Sequence, residues 1–145
     1  MPGPEQSTRR RRVRGTAVFS PAARTFRLTR AFVPNLRVDT TIENGIPVVA
    51  PSGDLDLAGA ALLERALVDA QATDPPAIVL DLRDVEFMDS SGLRTVIVAA
   101  RRAEEDASRF ALVPGKAQVM RVFEITRMEE RLEFVADPTA VTETG

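Results

Sequence analysis

"AIVLDLRDVEFMDSSGLRTVIVAA", residues 77–100, changes its hydrophobic rhythm halfway along. Residues 77–82 form a nearly unbroken apolar run that begins just after the breaker Asp74-Pro75-Pro76. Such a run suits a central strand buried on both faces. Beyond Asp89-Ser90-Ser91-Gly92 the period becomes helical: Leu93, Val96, Ile97 and Ala100 recur at i, i+3, i+4 and i+7. A buried strand, a short connection and an amphipathic helix are the makings of a strand–helix–strand unit. Two hydroxyls stand where that helix begins, and they can cap the helix, act as a nucleophile or carry a phosphate.

Working outward, the same alternation of elements continues. Leu36, Val38, Thr40 and Ile42 share one face at period two, and Asn44-Gly45 is a hairpin turn signal. Residues 46–50 read as the returning strand, with Pro47 marking a strand start or a sheet edge. Asp56 is placed to cap a helix whose stripe is Ala60, Leu63, Leu67 and Ala70. Downstream, residues 109–113 read as a strand, and Val119, Val122 and Phe123 as one helical face. Residues 132–135 read as a last strand. The order is ββαβαβαβ, which predicts an α/β domain whose mixed sheet contains parallel pairs.

Composition narrows the chemistry. The 145 residues are 44% hydrophobic, enough for one domain with a packed core. No apolar run is long enough for a membrane span. The sequence contains no cysteine and no histidine, which excludes thiol catalysis, the usual zinc sites and a Ser-His-Asp triad. The absence of cysteine fits a reducing cytoplasm. The net charge of −2 hides an asymmetry: residues 1–37 carry nine arginines against Glu5. The excess of acid lies in residues 38–145. Residues 1–35 are therefore expected to be a basic, disordered arm, 36–137 the folded domain and 138–145 a flexible tail. The arm lacks the sustained apolar segment of a signal peptide. It can be a solvated extension, a leader particular to this lineage, or a contact for nucleic acid or an anionic membrane surface through Arg9–Arg12 and Arg14.

The three readings of the serines differ in what they need. A nucleophilic serine needs a general base. Histidine is absent, Lys116 is the one lysine, and an ordinary exposed carboxylate such as Asp89 is too weak. Neither G-x-x-x-x-G-K-[ST] nor G-x-G-x-x-G is present, so a nucleotide or other cofactor is not expected. A helix cap and a phosphate acceptor both remain open, because free amides and the helix dipole favour an anion there. Ser91 is expected to be the cap, leaving Ser90 the freer hydroxyl. If Asp54 and Asp56 lie beside Asp89, a phosphate would add roughly 1.5–2 negative charges to an already acidic patch.

Residues 78–103, "IVLDLRDVEFMDSSGLRTVIVAARRA", closely resemble the signature of the anti-sigma factor antagonists, the small bacterial STAS domains. Residues 51–67, "PSGDLDLAGAALLERAL", are similar to a second segment of that family. The resemblance covers roughly residues 36–137. It implies a sheet of four or five strands with helices packed mainly on one face. It also implies a role without catalysis: in the cytoplasm, the unphosphorylated protein binds an anti-sigma factor that is a GHKL-type serine kinase, and this frees the sigma factor. By motif, the phosphoacceptor is Ser90, and a PP2C-type phosphatase reverses the modification. Asp54, Asp56, Asp89, Ser91, Gly92 and Leu93 match the surrounding partner-binding loop.

The sequence departs from the family at Arg127, where a glycine often ends the third helix. Two rival roles stay in view. One is a STAS scaffold subunit that binds its neighbours without a switch. The other is a nucleic-acid-associated protein working through its arginine arm.

Overall fold

Strand β5 (Ala77–Asp81) lies in the interior of the sheet. Ile78, Leu80 and the following Leu82 point into one apolar cluster, and Ala77 and Val79 into another on the opposite face. The computed structural model describes residues 18–20 and 25–142. The other strands are β1 (Val18–Ser20), β2 (Thr25–Val33), β3 (Leu36–Glu43), β4 (Ile46–Leu55), β6 (Val85–Met88), β7 (Arg109–Val113) and β8 (Glu133–Phe134). The helices are α1 (Leu57–Gln71), α2 (Ser90–Glu105), α3 (Ala117–Ile125) and α4 (Thr139–Thr142). The sheet order is β1-β2-β3-β4-β5-β7-β8, with β6 paired to β4.

Local chemistry explains most of this. The β3–β4 hairpin closes through Asn44 and Gly45, both at positive φ (52° and 83°), the geometry that two-residue hairpins favour. Strand β4 is long enough to have two partners on one side. Val48 and Val49 pair parallel with β5, while Gly53, Asp54 and Leu55 pair parallel with β6. Helices α1, α2 and α3 cover one face. Ala60, Leu63, Leu67 and Ala70 of α1 are all buried, as are Leu93, Val96, Ala99 and Ala103 of α2 and Val119 and Phe123 of α3. Ile97 and Ala100 flank the α2 stripe and are half-buried. Phe123 meets Phe134 edge-on, with ring centroids 5.6 Å apart. Buried Gln71 donates to the Ala99 carbonyl (2.9 Å) and accepts from Arg102 (2.9 Å), tying the end of α1 to α2.

The structure corrects three expectations. Order does not begin at Leu36: within the expected arm, Thr25–Val33 form a nine-residue strand paired antiparallel to β3. Pro34 and Asn35 turn that hairpin, with Asn35 at φ 71°. Among the described residues the sheet accordingly has eight strands rather than four or five. The expected tail contains α4, whose Val141 is 2% exposed and packs on Ile46, Val48, Val79, Ala111 and Val113 across the back of the sheet. The Asn44 side chain holds this strap by donating to the Thr142 carbonyl. Burying one valine in this way is worth about 1.5–3 kcal/mol. Arg9–Arg12 and Arg14, on which the nucleic-acid reading rests, lie outside the described residues.

Candidate functional site

Parallel pairing of β4 with β6 determines the site. The register places Asp54 opposite Phe87 and Leu55 opposite Met88, so both strands end together. The next residue on each chain segment is an aspartate in extended conformation, and each aspartate caps a helix. Asp56 accepts from the Gly59 amide (3.0 Å) at the start of α1. Asp89 accepts from the Ser91 amide (2.8 Å) and the Gly92 amide (3.4 Å) at the start of α2. The Asp89 amide in turn donates to the Leu55 carbonyl (3.3 Å), locking the two starts together. Asp54, Asp56 and Asp89 are thus brought to one edge of the domain, and all three are half-buried.

Ser90 follows the cap as the first helical residue. It is exposed, and its hydroxyl makes no hydrogen bond among the described residues. Ser91 is one step further into the helix and half-buried. The expectation that Ser91 caps α2 is therefore wrong. A cap needs extended backbone before the first turn, and β6 holds that conformation at Asp89 (φ −106°, ψ −169°), leaving Ser91 inside the helix.

Gly92 and Leu93, expected at the partner surface, are buried instead. A Cβ on Gly92 would lie 2.7 Å from Met88 Cγ and 3.0 Å from Leu55 Cβ. Gly92 lets α2 rest directly on the ends of both strands. Leu93 belongs to the core. Both pack beneath the first turn of α2, against the ends of β4 and β6.

Two apolar side chains in this region were not read from the sequence. Leu57, directly after the Asp56 cap, is 76% exposed, and Phe87, opposite Asp54 on β6, is 49% exposed. Leu57 could have been noticed as falling outside the stripe at 60, 63, 67 and 70. Beside them Lys116, at the start of α3, forms an ion pair with Glu86, and Gln118 donates to the Glu86 carbonyl (3.2 Å). The edge thus combines an exposed hydroxyl, three carboxylates and two exposed apolar groups. Among the described residues no acid or histidine cluster has metal-binding geometry, and no helix is long and apolar enough to cross a membrane. An open cavity of about 370 Å³ lies toward the other end of α2, lined by Ile97, Ala100, Arg101, Phe110, Met128 and Leu132 among others.

The chain belongs to the STAS domain family, whose model matches residues 37–140. It is 35% identical over 68 residues to the anti-sigma-F factor antagonist RsfB of Mycobacterium tuberculosis. That match covers 47% of this chain and 56% of RsfB, so the chain spans little more than half the length of this relative. Among solved structures, an anti-sigma factor antagonist from Mycobacterium paratuberculosis superposes with a TM-score of 0.69 at 24% identity, covering 79% of this chain and 97% of that one. The Bacillus cell fate determinant SpoIIAA, in its phosphorylated form, superposes with a TM-score of 0.57 at 19% identity, covering 81% and 98%. These likenesses confirm the fold.

Proposed function

We propose that this protein is an anti-sigma factor antagonist, a binding module switched by phosphorylation of Ser90. In this reading the unphosphorylated protein binds an anti-sigma factor that is itself a GHKL-type serine kinase. The sigma factor is then released, and a PP2C-type phosphatase restores the binding form after modification. The protein acts in the cytoplasm, where transcription is regulated. The observation that carries the reading is the exposed, unengaged Ser90 hydroxyl at the first helical position, on an edge that also presents Leu57 and Phe87. The names of the mycobacterial relatives and the phosphorylated form of SpoIIAA support it.

The chemistry of the edge defines its partner. Exposed apolar groups beside Asp54, Asp56 and Asp89 fit an apolar surface rimmed by basic side chains. A phosphate on Ser90 adds roughly 1.5–2 negative charges in the middle of that contact. A penalty of about 2.8 kcal/mol weakens binding roughly a hundredfold, enough to separate bound from free.

The test is incubation of the purified protein with ATP, magnesium and the anti-sigma kinases of the same genome, followed by intact-mass and fragment spectra. One added phosphoryl group on Ser90, absent from Ser90→Ala, is the expected result. A kinase that binds tightly but leaves Ser90 unmodified sinks the switch and favours a scaffold role.

A further inference from the structure

Resting on that reading, we propose that Arg94 is the residue that holds the phosphate once Ser90 carries it, forming a phosphoserine–arginine clasp across the first turn of α2. Modification moves the γ-phosphoryl group of ATP to Ser90 Oγ. The Oγ–P bond forms, the bond to the departing ADP breaks, and the hydroxyl proton is released. The dianion left behind has to find counter-charge.

The amides at the helix start do not supply it freely. Asp89 already occupies the Ser91 and Gly92 amides, and the Leu93 amide donates to the Asp89 carbonyl. The neighbouring side chains make matters worse, since Asp54, Asp56 and Asp89 share the edge. The other cations of this region are committed or lie apart. Lys116 pairs with Glu86, and Arg83, before the start of β6 and on the side of Asp137, is held by Asp81 through both Nε and Nη2.

Arg94 differs from these. It stands four residues after Ser90 on the same helix, the spacing that brings two side chains together on one face. Both residues are exposed, and Arg94 forms no ion pair among the described residues. Its helical neighbours at i−3, i+3 and i+4 are Ser91, Ile97 and Val98, so no acid on α2 competes for it. The anion lies N-terminal to the cation, the orientation an α-helix prefers. A guanidinium can take two phosphate oxygens at once, whereas an ammonium is a point charge. The phosphorylated edge therefore carries an ordered pair rather than a free dianion.

The experiment installs phosphoserine at position 90 during translation of the full chain, so that no kinase is needed. Phosphorus NMR then follows the second ionisation of the phosphate in wild type, Arg94→Gln and Arg94→Lys. The clasp predicts an ionisation about 0.2–0.4 unit lower in wild type than in Arg94→Gln. Arg94→Lys should recover part of the difference, and high salt should shrink it. Identical titrations in wild type and Arg94→Gln overturn the clasp. Failure of any kinase to modify Ser90 is a separate result, which overturns the switch itself.

Discussion

Two helices start side by side in this protein and do so by the same means, yet the residue after each cap differs. Strands β4 and β6 end together, Asp56 and Asp89 cap α1 and α2, and each aspartate accepts a backbone amide. After Asp56 comes an exposed leucine, and after Asp89 an exposed serine. The caps carry the structure, which leaves the following positions free for surface chemistry. At α1 that position presents an exposed apolar side chain. At α2 it presents a hydroxyl that takes no part in the cap.

The largest expected effect separates these two positions. Phosphorylation of Ser90 should weaken binding to the anti-sigma partner roughly a hundredfold, about 2.8 kcal/mol, in a calorimetric titration. Leu57→Asp should also weaken binding, while leaving urea unfolding within about 0.5 kcal/mol of wild type, as an exposed substitution does. A partner indifferent to Leu57→Asp would break the claim that α1 offers a contact.

Gly92→Val comes next. Its side chain has to displace Met88 and Leu55, so unfolding free energy should fall by about 1–3 kcal/mol. The loss would be visible in urea titrations. Unchanged stability would mean that α2 does not rest on the strand ends as described.

The caps sharpen the comparison. Asp89→Ala should lose about 1–2 kcal/mol and Asp56→Ala about 1 kcal/mol, because Asp89 serves two amides and Asp56 one. Equal losses in chemical denaturation would remove that asymmetry.

The smallest effect lies away from the site. Arg127 sits at φ 62° and ψ 22° after α3, the left-handed conformation that glycine adopts without a Cβ penalty. Arg127→Gly should stabilise the domain by up to about 1 kcal/mol, raising its thermal midpoint.

Features with a local signal were legible in the sequence. The Asn44-Gly45 turn, the Asp56 cap, the α1 stripe and the two-faced run at 77–82 each rest on a few neighbouring residues. Arg127 stood out only through the family resemblance, as an arginine where a glycine often ends the helix, and the structure shows the left-handed stop there. The features that escaped depend on tertiary pairing. Both Asp89 and Ser91 are good capping residue types, and β6 pairing with β4 decides between them. Strand β6 itself is four residues long, with Glu86 and Phe87 both exposed, so it lacks alternation. Strand β2 carries Thr29, Arg30 and Phe32 on the surface and reads as a polar arm until β3 is beside it. Helix α4 is a single turn, too short for a period, and it holds because Val141 finds the apolar back of the sheet.

The central claim is that the charge on Ser90 decides binding, and one measurement addresses it directly. The protein is prepared unmodified and with phosphoserine at position 90, and each form is titrated into the same anti-sigma kinase by calorimetry. The account predicts tight binding of the unmodified form and roughly hundredfold weaker binding of the phosphorylated one. Equal affinities would contradict it.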